Sequence, residues 1–170
     1  MNSKYIQYKL WSYFRNHNYK LSNAFVFNWE SDFFSITNSG YCYEIEIKIS
    51  HNDFKKDFEK TIEISNKLRY KHDILIDNEF TFKPNKFFFA FPKGLIDNSE
   101  IDKHYGIIEI SKYDIKIIRN ADFLHKEKLM SNNIFMKSLL DKFYWRNIDL
   151  RHALELRDFD LKFGQKRIKI

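Results

Sequence analysis

Apolar residues Ile6, Leu10, Tyr13 and Phe14 recur at i, i+4, i+7 and i+8, the spacing of one helical face. The chain is therefore expected to open with an amphipathic helix that ends near Asn16 to Asn18. Three β-like stretches follow, Ala24 to Asn28, Asp32 to Thr37 and Tyr41 to Ile49. Asn38-Ser39-Gly40 separates the last two and is a hairpin signal, because Asn and Gly tolerate positive φ. The third stretch alternates strictly, with Tyr43, Ile45, Ile47 and Ile49 on one face and Glu44, Glu46 and Lys48 on the other, which reads as the exposed one. Ser50-His51-Asn52-Asp53 then supplies a helix cap and a first-turn acid. Phe54, Phe58 and Ile62, with Ser65 or Leu68, form the stripe of a helix predicted to run to about Tyr70. Lys86 to Phe91, Tyr105 to Ser111 and Ile115 to Arg119 read as strands, and Phe123 to Asp160 as two helices broken near Asn147. This order predicts an α/β domain with a central mixed β-sheet flanked by helices.

Composition agrees with a single domain over 1–170: 44% of side chains are hydrophobic and 18% aromatic, with only 4 Gly and 2 Pro, which excludes disordered, collagenous and low-complexity classes. The lone cysteine, Cys42, excludes an internal disulfide and any multi-cysteine metal site, and reads as a buried thiol in a reducing compartment. Lys4, Lys9 and Arg15 interrupt the N-terminal segment, so neither a signal peptide nor a membrane span is expected there, and a cytoplasmic protein is the working class. The formal net charge is +6, and the last ten residues carry Lys162, Lys166, Arg167 and Lys169 with no acid. That tail is either an arm facing nucleic acid or a solvated terminus.

The chemistry lies in the acids. Glu30 and Asp32 precede the hairpin, and Glu44, Glu46 and Lys48 follow it, so Asp32 and Glu46 can converge across two adjacent strands. Two carboxylates with the Ile47 carbonyl between them make an oxygen-rich site for Mg²⁺ or Mn²⁺. Lys48, on the same side as Glu46, can reach a metal-bound water and orient it for in-line attack on phosphorus. The same alternation also serves structural cross-strand ion pairs or edge protection. Nothing in the chain matches a phosphate-cradling glycine loop or a His pair at metal spacing.

Asp32 followed by Glu46-Ile47-Lys48 resembles the PD-(D/E)xK nuclease signature. The run EIEIKISHNDFKKDFEK, with Ser50, Asp53-Phe54 and Asp57, resembles more narrowly the MmcB-like DNA repair group of that superfamily, as do Phe88-Phe89-Ala90-Phe91-Pro92 and Gly106-Ile107-Ile108. The resemblance covers about Trp29 to Arg119, and Ser31 stands where the superfamily name has proline. It implies a restriction-endonuclease-like core (about 22–119), to which the chain's own periodicity and charge add C-terminal helices (about 123–160) and a basic tail (161–170). It further implies a Mg²⁺- or Mn²⁺-dependent deoxyribonuclease, an endonuclease of repair, recombination or mobile elements, with DNA as partner. Asp32, Glu46 and Lys48 would be catalytic; Asp32, Glu46 and the Ile47 carbonyl would hold the metal; Glu30, Glu44 and Asp53 would be auxiliary acids. Lys56, Lys60, His72, Lys166 and Arg167 are the candidate nucleic-acid contacts. A homodimer would supply the two sites that two strand cuts need. The alternative is a non-catalytic nucleic-acid- or protein-binding module that retains the fold.

Overall fold

The computed structural model describes residues 1–128 and, beyond them, 136, 139–141, 143, 144 and 152. Helix α1 (Ser3–Tyr13) is capped by the Asn2 side chain, which accepts the Tyr5 N–H at 2.9 Å. It turns Ile6 and Leu10 inward, while Tyr13 is 41% exposed rather than on the buried stripe. Strands β1 (Tyr19–Phe25), β2 (Glu30–Ile36) and β3 (Cys42–Ile47) form an antiparallel meander. β1 begins five residues earlier than the apolar run predicts. Val26, Phe27 and Trp29 are instead buried in the connection to β2, where core packing mimics a strand signal. The expected hairpin joins β2 to β3, with Gly40 at φ 85.

After β3 the chain crosses over through α2 (His51–Asp57), a small hairpin of β4 (Thr61–Ile64) and β5 (Lys67–Tyr70), and α3 (Lys71–Ile76), and returns as β6 (Lys86–Pro92), parallel to β3. β7 (Gly106–Ile110) lies parallel to β6, and β8 (Ile115–Arg119) closes the six-stranded sheet β1-β2-β3-β6-β7-β8 in antiparallel sense.

The single helix expected to run to Tyr70 is thus α2 followed by a hairpin and a second short helix. Ser50 caps α2 as predicted, accepting the Asp53 N–H at 3.1 Å. The helix stops because Thr61, Ile62 and Ile64 favour extended backbone. Ser65 and Asn66, at φ 52 and 61, then make the tight left-handed turn that suits a two-residue hairpin. Ile62 lies four residues after Phe58, which imitated a helical stripe. Residues 123–128 are not helical: Asn85 holds them, its side-chain amide donating to the carbonyls of His125 (3.1 Å) and Glu127 (2.8 Å). The described residues from 136 onward are helical, while the break near Asn147 and the basic tail, with Lys166 and Arg167, lie outside the described residues.

Both faces of the sheet are covered. Ile6, Leu10 and Phe14 pack on Phe33, Ile45, Ile47, Phe88 and Ile108 on one side. Phe54, Ile74 and Leu75 pack with Phe34, Phe87, Phe89 and Ile107 on the other. The face of β3 that carries Glu44, Glu46 and Lys48 is this second one. It is buried, not exposed, because the parallel crossover lays α2 and α3 over it. Among the described residues no helix is long and apolar enough to cross a membrane.

Candidate functional site

The site begins where β2 and β3 part. Their ladder pairs Phe34 with Glu44 and Phe33 with Ile45, so the next step along would set Asp32 opposite Glu46. By the period of two, Asp32 and Glu46 fall on the same face, as directly opposed neighbours. Instead of a backbone pair, the Asp32 Oδ2 accepts the Ile47 N–H at 2.8 Å. The next amide, Lys48 N–H, points to the opposite edge and donates to Ala90 O at 2.9 Å. In extended backbone a residue's N–H and C=O leave on the same side, so the Ile47 carbonyl is turned towards β2, as the sequence reading requires.

A third strand supports Asp32 from behind. Ser22 pairs with Phe33 and Ala24 with Ser31, leaving Asn23 opposite Asp32 at φ 51, a conformation Asn tolerates better than most residues. Gln7 of α1 donates to Asn23 Oδ1 at 2.7 Å and to Asp32 O at 3.1 Å, tying the first helix to this point of β2. Neither Gln7 nor Asn23 carries a sequence signal, because the link depends on α1 crossing the sheet.

The second half of the site is a buried ionic network. Glu44 is fully buried and Glu46 and Lys48 are each 2% exposed. Lys48 Nζ lies 3.0 Å from Glu46 Oε1 and 2.7 Å from Asp57 Oδ1. Lys71 Nζ bridges Glu44 at 2.8 Å and Glu46 at 3.1 Å, and the Trp29 indole N–H donates to the Glu44 carboxylate at 2.9 Å. Lys60 Nζ reaches Glu46 Oε1 at 2.5 Å and Asp57 Oδ1 at 2.6 Å. His72 links Asp57 Oδ2 (2.9 Å) to the Tyr105 hydroxyl (3.0 Å). Three carboxylates and three ammonium groups therefore offset one another, all of them buried except Lys60, which reaches in from solvent. Their separate desolvation costs are large, and only this mutual pairing makes the burial tolerable.

The ionisation equilibria follow from the same geometry. Burial opposes the charge of Asp57, but the His72 hydrogen bond, Lys71 and Lys48 outweigh it and hold the carboxyl well below its ordinary value. Burial likewise opposes Glu46, yet Lys71, Lys48 and Lys60 keep it low. Glu44 goes the other way: burial pushes it up in spite of Lys71. Lys71 is itself desolvated, but Glu44, Glu46 and Asp57 hold its ammonium firmly charged. Asp32 sits at the margin of this network, where burial first and the Glu46 charge second push its carboxyl up to about 6, against the Ile47 N–H, Lys48 and Lys60.

Several predicted residues therefore change role. Glu44 is sealed by Trp29 and Lys71 and is a structural anion rather than an auxiliary acid. His72, buried between Asp57 and Tyr105 and stacked on Phe58, is not placed to meet a phosphate. Lys60 lies beyond the end of α2 and, although exposed, turns its ammonium group onto Glu46 and Asp57. Asp57, noted in the sequence only as part of the run after β3, is the buried acid that holds Lys48. Lys56 is exposed on α2, Asp53 stands in its first turn, and Glu30 is exposed at the start of β2. Lys71 and Trp29 escape the sequence reading because each lies far along the chain from its partner. Cys42 is buried as expected, and burial pushes its thiol up to about 12.

Among the described residues no three His, Cys, Asp or Glu side chains are grouped to hold a metal ion. The oxygen donors that the strand register brings to one face are the Asp32 and Glu46 carboxylates, near enough for the Glu46 charge to act on Asp32, with the Ile47 carbonyl turned to the same edge. All are hard oxygen atoms, and the two acids repel one another. They fit Mg²⁺ or Mn²⁺ retaining several waters, not a cation caged wholly by protein.

No family model and no curated protein matches the chain. Among solved structures it is similar to a protein of unknown function from Silicibacter pomeroyi, with a TM-score of 0.55 and 16% sequence identity over 78% of this chain and 78% of that one. At that identity the likeness is one of fold, a mixed α/β architecture built on a central sheet.

Proposed function

We propose that the chain is a PD-(D/E)xK-type nuclease of restriction-endonuclease-like fold, which hydrolyses DNA phosphodiester bonds with Mg²⁺ or Mn²⁺ at Asp32, Glu46 and Lys48. The observation that supports this reading is the Asp32 carboxylate bound to the Ile47 N–H where β2 and β3 part, one step beyond the Phe33–Ile45 pair and beside the charge of Glu46. A buried acid set beside another acid costs stability, and a divalent cation between them would remove that cost. The mixed sheet flanked by helices is of the class that the resemblance implies.

In this reading Asp32, Glu46 and the Ile47 carbonyl hold the cation, which when bound supplies Lewis acidity and lowers the pKa of water. The chain's own contribution is orientation. The Ile47 N–H fixes the Asp32 carboxylate, and Gln7 fixes its backbone. Lys48 uses two N–H groups on Glu46 and Asp57, which leaves it a third donor. That donor would hold the attacking water or a phosphate oxygen in line. Asp57, itself tied to His72 and Tyr105, keeps Lys48 in that pose as a positioning residue.

A second reading, a binding module without catalysis, draws on one observation: lysines already occupy both oxygens of Glu46, so the network is electrically complete without metal. One experiment separates the two. Purified protein is incubated with supercoiled, linear and single-stranded DNA, and with RNA, in Mg²⁺, Mn²⁺ or EDTA, alongside Asp32→Asn and Lys48→Met variants whose folding is checked by circular dichroism. Metal-dependent cleavage abolished by both folded variants supports the nuclease. Cleavage indifferent to both refutes the site, and binding without cleavage under every condition supports the module.

A further inference from the structure

Lys60 is set apart within the ionic network. Its side chain is 45% exposed, whereas those of Glu46, Asp57, Lys48 and Lys71 are at most 3% exposed. It reaches in from solvent, immediately after α2, to touch Glu46 Oε1 and Asp57 Oδ1. Both acids have other partners: Glu46 keeps Lys48 and Lys71, and Asp57 keeps Lys48 and His72. Removal of Lys60 would therefore strand no buried charge.

Glu46 presents Oε1 to Lys48 and Lys60, and Oε2 to Lys71. Oε1 already accepts from two ammonium groups, so a cation approaching that oxygen must take the place of one of them. Lys48 and Lys71 cannot leave without moving a buried charge through the protein, a costly step. Lys60 can withdraw into water by rotation of its own flexible stem.

We propose that Lys60 is an exchangeable counter-ion: it neutralises Glu46 in the metal-free protein and yields that carboxylate to the divalent cation. The inference rests on the metal site proposed above, and its test separates the two.

Mn²⁺ alone, without DNA, is titrated calorimetrically into the full chain as wild type, Lys60→Gln, Lys60→Arg, Lys56→Gln, Asp32→Asn and the Lys60→Gln/Asp32→Asn double variant. Lys60→Gln should fold and bind Mn²⁺ at least about tenfold more tightly, equivalent to about 1.4 kcal/mol. Lys60→Arg, which keeps the competing charge, and Lys56→Gln, which removes only an exposed charge of α2, should stay within about threefold of wild type, as expected for a screened surface charge. The gain should vanish in the double variant. Equal affinity of Lys60→Gln and wild type, an equal gain in Lys56→Gln, or failure of Lys60→Gln to fold overturns the exchange. If affinity ignores Lys60 but disappears with Asp32→Asn, the exchange fails and the metal site stands. If no protein binds Mn²⁺, both fail.

Discussion

Asp32→Asn tests the electrostatic account of the site without any assumption about substrate. The amide has nearly the same shape, retains an oxygen to accept the Ile47 N–H, and carries no charge. In the folded protein the Asp32 carboxyl is raised from 3.8 to about 6, burial being the larger cause and Glu46 the next. Because the folded value lies above the unfolded one, the folded state binds the proton more tightly. The charge penalty is absent below the unfolded value, grows as pH rises, and is complete above about 6. At about 1.4 kcal/mol for each tenfold difference, the ceiling is about 3 kcal/mol, and local relaxation brings a realistic figure to about 1–3 kcal/mol. Urea unfolding of wild type and Asp32→Asn from pH 4 to 8 should give similar stabilities at the acid end and a more stable variant at the basic end. The difference between the two curves cancels the other titrating groups. Mn²⁺ should then stabilise wild type, by about 2.7 kcal/mol at a hundredfold excess over its Kd, and leave the variant unchanged. A variant that is less stable than wild type at pH 8, or a difference that does not vary with pH, would refute the reasoning.

Two further substitutions probe the scaffold. Lys71→Met removes the ammonium shared by buried Glu44 and Glu46 and should cost about 3–5 kcal/mol, the range for breaking one partner out of a buried ionic network, read as a lower urea midpoint. A loss under about 1 kcal/mol would show that Glu44 protonates or finds water at little cost. Gly106→Ala places a methyl group 2.1 Å from the Phe88 ring and 2.9 Å from the Ala121 nitrogen, so the buried ring and the backbone at Ala121 must shift to admit it. It should lower stability by about 1–3 kcal/mol, and an unchanged melting temperature would rule out this close approach.

Much of the candidate site is legible in the sequence because strand geometry is local. The alternation from Tyr43 to Lys48 already assigns Glu44, Glu46 and Lys48 to one face, and Asn38-Ser39-Gly40 already turns the chain so that Asp32 can meet them. Ser50 announces the helix that follows. The errors arise where a local pattern has two readings. Phe58 and Ile62 fit a helical stripe as well as a helix end followed by a strand, and the positive φ of Ser65 and Asn66 decides between them. Val26 and Phe27 look like strand residues because connections buried in a core are also apolar.

Strand alternation is enough to place Glu44, Glu46 and Lys48 on one side of β3, since a period of two depends only on the backbone. The tertiary structure alone decided that this side is interior. The crossover from β3 to β6 brings α2 and α3 down on it, and an alternating strand cannot record what later covers its polar face. It also decided the partners: Lys60 and Lys71, at either end of the β4–β5 hairpin, come back to Glu46 because the Lys71 N–H bonds the Lys60 carbonyl at 2.8 Å and closes that hairpin over the sheet. Strand geometry sets charges side by side through local bonds, whereas their burial and neutralisation depend on contacts between segments far apart in the chain.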